Sequence, residues 1–259
     1  MSPLTHARYC EEILFQTDLL RDLVKDADLT ARVPTCPDWN LRELVVHVGG
    51  AHRWTGEIVR TRAAGELPDD GVPGSDGPAS GDAAALDAWL AEGAAATVDA
   101  LREAGPDTEV WTWAWERRTA FWARRMAHET AVHRADAAAA VGQDFEVAPD
   151  LAADTITEWL QIVSFAQAEG DPEAAELRGG GRSLHLHATD APDAEWLIEF
   201  GEDGFTWRHA HAKATVALRG PLTELMLAFN RRRKPDEGGL EVLGDRGLLD
   251  FWLERSSFG

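Results

Sequence analysis

Two textures divide this chain of 259 residues. Up to about residue 169, apolar residues recur at helical spacing in long segments; past Gly179-Gly180-Gly181 they alternate, as strands do. Such a chain builds a helical unit followed by a mixed one, and its length suffices for one large domain or two modest ones. Helices are predicted over residues 5–27, where Cys10, Ile13, Leu14, Leu20 and Val24 supply the apolar stripe, and over 41–62, opened by the capping-box pair Asn40 and Glu43. Further helices are expected over 82–103, over 117–141, and from Pro149 onward. Residues 66–80, rich in Gly, Pro, Asp and Ser, read as a mobile surface loop, and Trp111 to Trp115 as a short extended segment. Four long helices with a crossover suggest a bundle. The expected class is therefore α+β, with residues 1–170 helical, a charged linker, and a smaller α+β unit over 182–259. That unit should hold strands at 183–188, 195–200 and 214–218, a hairpin turn at 201–204, and helices at 221–229 and 246–254.

The formal charge of −20 excludes nucleic acid as a partner and disfavours an anionic membrane surface. Cationic charge is local, in Arg117-Arg118, Arg124-Arg125 and Arg231-Arg232-Arg233-Lys234, islands suited to a small anion. Cys10 and Cys36 are the two cysteines, too few for a disulfide framework, which points to a reducing cytoplasm. No signal peptide or membrane span is expected, because charges interrupt every apolar stretch.

The chemistry concentrates in residues 117–141, which contain neither Gly nor Pro. Glu129 and His133 stand one helical turn apart there, so their side chains reach a common point and can supply two ligands to an open zinc site. A bland reading exists: a helix-stabilising pair worth about 0.2–0.5 kcal/mol. His47, flanked by apolar residues on the second helix, offers a third donor, though alone it reads as a core histidine satisfied by a carboxylate. Together the three are hard to explain by packing, since buried carboxylates need a partner or a cation. His128 is a poor companion for His133: five residues at ~100° each leave the two diverging by about 140°. That divergence excludes the HExxH protease reading. Asp136, three residues past His133, suits an acceptor behind a metal ligand or a group that binds a thiol's polar atoms. His185 and His187 share a strand face without an evident carboxylate and read as surface residues; Cys36 reads as a loop residue. Of the 11 tryptophans, Trp111, Trp113 and Trp115 suit a cleft wall, with core packing the commoner role.

Val33-Pro34-Thr35-Cys36-Pro37-Asp38-Trp39, Leu44-Val45-Val46-His47-Val48-Gly49-Gly50-Ala51-His52-Arg53-Trp54 and the run from Phe121 to Asp136 resemble the mycothiol-dependent maleylpyruvate isomerase family. Arg219-Gly220-Pro221 and Leu240 to Asp245 resemble that family's small C-terminal domain. The resemblance implies a DinB-like four-helix bundle in which His47, Glu129 and His133 hold Zn²⁺ or another divalent metal, and mycothiol as the thiol cosubstrate. It also implies an active-site arginine from the C-terminal domain. Phe229-Asn230-Arg231-Arg232-Arg233-Lys234-Pro235 departs from the family's Gly-Arg pair before Pro, which makes Arg232, then Arg231, the candidates. The implied reaction isomerises a maleylpyruvate-like cis-alkene or transfers the thiol to a small electrophilic or anionic substrate. A DinB-like hydrolase using zinc-bound water, or a non-catalytic small-molecule binder, is the alternative. The oligomeric state is left open.

Overall fold

Asn40 begins the bundle's second helix by accepting the Glu43 amide while Glu43 reaches back to the Asn40 amide, a complete capping box. In a computed structural model that describes residues 4–68, 71–79 and 82–256, the described chain divides into two units, residues 4–145 and residues 146–256. Four helices make the first: α1 (His6–Val24), α2 (Leu41–Thr61), α3 (Ala83–Ala104) and α4 (Thr119–Val141). A small hairpin, β1 (Arg32–Val33) with β2 (Cys36–Asn40), leads into α2. Leu20, Val24, Val33, Leu41, Leu44, Val45, Val48, Leu86, Leu90 and Ala137 interlock between the four helices and the hairpin as one apolar core. Gly49 lets α2 and α3 approach closely, because a Cβ there would run into the Trp89 ring. Gly142, at φ 68°, takes the left-handed conformation that ends α4.

α4 departs from the usual two-faced helix. It is buried along almost its whole length, and its buried residues include Arg125, His128, His133, Arg134 and Asp136. Each buried polar group therefore needs a partner. Arg134 donates to Gln16 of α1 at 2.6 Å, for example.

The second unit opens with α5 (Pro149–Glu169). Five strands follow, β3 (Arg182–Ala188), β4 (Glu195–Phe200), β5 (Phe205–Arg208), β6 (Val216–Gly220) and β7 (Glu241–Gly244), with α6 (Leu222–Phe229) before β7 and α7 (Arg246–Arg255) after it. The sheet order is β5-β4-β3-β6-β7, with β3 and β6 parallel at its centre and every other pairing antiparallel. Leu184, Leu186, Trp196, Ile198, Val216 and Leu218 are buried on one face, while His185, His187, Glu195, Glu199 and Arg219 alternate onto the other. Phe229 stacks on Trp252 at 5.4 Å between ring centroids, joining α6 to α7.

The expected α+β class and four-helix bundle are present. Three local expectations change. Trp111 to Trp115 is a loop closed by the single bridge Glu109–Arg118, because Thr112 turns back on itself to donate to the Glu116 carbonyl. Residues 170–181, which read as a linker, pack inside the second unit: Ala174 and Leu177 are fully buried, and Gln167 donates to both of their carbonyls. α5, placed by its sequence position with the bundle, belongs with the sheet. Of the segment read as a loop over 66–80, residues 69, 70 and 80 lie outside the described residues; the remainder runs in turns, with Val72 buried. Among the described residues no helix is long and apolar enough to cross a membrane.

Candidate metal centre

α4 carries Glu129 and His133 one turn apart, and the turn brings His133 Nε2 to 3.0 Å from Glu129 Oε1. α2 packs across α4 and presents His47, whose Nε2 lies 3.1 Å from the same oxygen. One donor atom from each of the three residues falls within 4.8 Å of the others. The structure thus brings together the trio expected from the sequence. His47 is more open than its apolar neighbours suggest, with 37% of its side chain exposed against 9% for His133, so the site meets solvent on its α2 side.

Behind His133 stands Asp136, fully buried. Its Oδ2 accepts from His133 Nδ1 at 2.9 Å, and its Oδ1 accepts the Thr35 hydroxyl at 2.6 Å. The Cys36 thiol also lies against Oδ2, at 3.6 Å. With Nδ1–H donated to Asp136, the imidazole keeps its Nε2 lone pair for the trio, the arrangement that metal-ligating histidines adopt. Of the two roles expected for Asp136, acceptor and thiol contact, this burial supports the acceptor. Arg125, one turn before Glu129, donates to Glu129 Oε2 at 3.1 Å. Trp39 from the hairpin covers one side, its ring 4.7 Å from His47 and 5.9 Å from His133 between centroids.

The electrostatics follow. Burial works against the Glu129 charge, but the facing His133 and His47 and the Arg125 guanidinium outweigh it and hold the carboxyl well below its usual range. Burial likewise pulls His133 down, yet Glu129 and Asp136 outweigh it and push its pKa up to about 9. Two imidazole nitrogens and a carboxylate oxygen converge here, a donor set that fits a divalent metal of the zinc class.

His128 is directed elsewhere, fully buried edge-on against Tyr9 of α1 at 5.9 Å. Trp111 packs with Trp54 and Trp122 in an aromatic cluster, while Trp113 and Trp115 sit edge-on to Phe121 and stay partly exposed. Arg231 and Arg232 lie in the turn after α6 of the second unit. Arg231 takes a left-handed backbone at φ 64°, Arg232 donates to the Asn230 carbonyl at 2.8 Å, and Arg233 pairs with Glu224 at 2.7 Å. Thr35, Cys36, Trp39 and Arg125 were not among the expected site residues. For Arg125 the signal was available, since it precedes Glu129 by the same one-turn spacing that links Glu129 to His133.

Residues 11–138 match the mycothiol maleylpyruvate isomerase N-terminal domain profile, and residues 150–251 match the C-terminal domain profile of the same family. Each match falls within one of the two structural units. No curated protein matches significantly. Among solved structures, the mycothiol-dependent maleylpyruvate isomerase is similar at TM-score 0.63 and 14% identity, and a point mutant of it at 0.64 and 15%. Each similarity covers 93% of this chain and 95% of the other. Identity that low speaks to the fold; the paired domain profiles carry the membership. The chain belongs to the mycothiol-dependent maleylpyruvate isomerase family.

Proposed function

We propose that this protein is a metal-dependent enzyme, zinc being the metal its donors suit, that uses mycothiol to isomerise a maleylpyruvate-like cis-alkene or to transfer the thiol to a small electrophile. The observation that carries the reading is the convergence of His47 Nε2 and His133 Nε2 on Glu129 Oε1 at 3.1 and 3.0 Å, inside a family of thiol-dependent isomerases. His47, Glu129 and His133 hold the metal, and three protein donors leave room for an exogenous ligand. When bound, a divalent cation supplies the Lewis acidity that keeps a thiol as thiolate near neutral pH.

The remaining contributions come from the chain itself. Asp136 fixes the His133 ring and its tautomer, so the ligating nitrogen does not wander. Arg125 balances the second Glu129 oxygen and keeps that side chain extended toward His47. Trp39 shields the two imidazoles from water on the hairpin side. Arg232, with Arg231 second, is the proposed partner for the substrate's anionic group.

The test is incubation of metal-loaded protein with mycothiol and a panel of electrophiles that includes maleylpyruvate, read by mass spectrometry for isomers and adducts. Thiol-dependent turnover that disappears in Glu129→Gln and His133→Ala supports the reading. Turnover without any thiol favours a hydrolase, and metal-independent ligand binding without turnover favours a binding protein; either result overturns it.

A further inference from the structure

The face of the second unit's sheet opposite Leu184 and Trp196 gathers four side chains that the bundle site does not use. His185 and His187 are two apart on β3, so both stand on the same face. β4 runs antiparallel beside them in a register that sets Glu195 opposite His187 and Leu197 opposite His185. The Glu195 carboxylate therefore lies next to both rings. The segment after β5 then brings His211 over the same spot.

The three imidazoles all point at one atom. Glu195 Oε2 lies 2.8 Å from His185 Nε2, 3.1 Å from His187 Nδ1 and 2.7 Å from His211 Nδ1. The ring centroids are 5.6, 5.6 and 5.5 Å apart pairwise. One donor atom from each of the four residues lies within 4.8 Å of all the others. A carboxylate oxygen has two lone pairs, so a third imidazole aimed at it is surplus to hydrogen bonding. Charging all three rings would instead set three like charges side by side around a single carboxylate. A shared cation resolves both difficulties.

We propose that His185, His187, Glu195 and His211 form a second metal site. Three imidazoles and a carboxylate suit Zn²⁺ and its neighbours Co²⁺ and Ni²⁺, whereas Mg²⁺ and Ca²⁺ take oxygen shells. Four protein donors fill a tetrahedral shell and leave no position for substrate, so the site is structural. Its work is to fasten the irregular segment 209–215 to the sheet between the two anchors that segment already has: His209, whose Nδ1 bonds the Glu195 carbonyl at 3.0 Å, and Thr215, whose backbone and side chain bond Ser183 at 3.2 and 3.0 Å. The opening is on the His211 side, where that side chain is 75% exposed, while His185 closes the buried end.

The experiment uses tag-free full-length protein, stripped with chelator, reloaded with zinc and assayed for bound metal, with cobalt absorption as a reporter of tetrahedral coordination. Wild type should hold about two equivalents and the Glu129→Ala/His133→Ala variant about one. Adding His211→Ala or the isosteric Glu195→Gln to that variant should remove the remaining equivalent, and zinc should no longer raise its melting temperature. Circular dichroism checks that each variant is folded, which an exposed His211 makes a mild demand. The proposal is overturned if the Glu129→Ala/His133→Ala variant binds no zinc, or if its zinc survives loss of His211 and of Glu195. Retention of both equivalents in that variant would instead count against the bundle site alone.

Discussion

Replacing Asp136 by Asn isolates the part of the bundle site that acts through another residue. The side chain is fully buried, and Asn fills the same volume, so no cavity follows. What changes is the bond to His133 Nδ1, 2.9 Å long and charge-assisted in the native chain. Asn can keep an acceptor toward His133 only by turning its amide toward the Thr35 hydroxyl, which now donates to Oδ1 at 2.6 Å. In the other orientation donor meets donor, and the ring must move its proton to Nε2, the nitrogen that faces Glu129. Losing charge assistance costs about 1–2 kcal/mol, and mutations behind a ligating histidine typically weaken metal binding about 10–100-fold. The assay is competitive zinc titration against a chromophoric chelator in a Glu195→Gln background, which leaves the bundle site as the one counted. Zinc affinity should fall by about that factor, and thiol-dependent turnover should recover when zinc is raised to saturate the variant. A folded Asp136→Asn protein that binds zinc within about twofold of the parent, while His133→Ala abolishes binding, would refute the positioning role.

Gly49→Ala should destabilise the first unit by about 1–3 kcal/mol in chemical denaturation, because the new methyl meets the Trp89 ring. That ring cannot yield easily, held as it is by the Gly74 carbonyl at 2.7 Å and the Arg53 guanidinium stacked at 4.1 Å. Arg232→Ala should lower kcat/KM for an anionic electrophile by about 1.5–3 kcal/mol of transition-state binding with unchanged melting temperature, whereas Arg233→Ala, which breaks the Glu224 pair, should leave kcat/KM intact. His52 donates Nε2–H to Thr130 Oγ1 at 2.8 Å, since that hydroxyl's own proton goes to the Met126 carbonyl, and its buried Nδ1 has no partner among the described residues. Burial, then the neighbouring Arg53, lowers its pKa to about 4. A folded-state value below the unfolded 6.5 gives stability that is present above pH 6.5 and lost as pH falls toward 4, about 3 kcal/mol in all. Denaturation midpoints between those pH values should therefore fall more steeply for wild type than for His52→Gln, and parallel curves would contradict the assignment.

Legibility of the bundle site tracked how far apart in the chain its parts lie. Glu129, His133 and Asp136 share one helix, where spacing converts directly into geometry, so an uninterrupted run of 25 residues was enough to place them. Arg125 obeyed the same rule. His47 was legible as a third donor on an apolar-flanked helix, and its family motif added to that; what joins it to the pair is the packing of α2 on α4, which no periodicity expresses. Thr35, Cys36 and Trp39 come from a hairpin whose strands have two and five residues, too short for alternation to register. Glycines misled at the unit boundary. Gly179, Gly180 and Gly181 mark positive-φ backbone entering β3, whereas the chain divides near Phe145, past the Gly142 cap and without a loop-like composition. β5 and β7 escaped notice as four-residue edge strands.

The sheet cluster shows the opposite limit. His185 and His187 were visible as a pair on one strand face, and the absence of a nearby carboxylate in sequence made them look like ordinary surface residues. The missing carboxylate, Glu195, is supplied by register: β4 pairs with β3 so that position 195 falls opposite position 187. A slip of one residue would turn the Glu195 side chain to the buried face and put Trp196 among the histidines. What pins the register is the core side of the same strands, where Leu184, Leu186, Trp196 and Ile198 must all point inward together. Burial of these four thus determines where the polar donors on the other face meet. A helix writes its site into a single stretch of sequence; a sheet distributes one over strands whose alignment is decided by the residues on the far side.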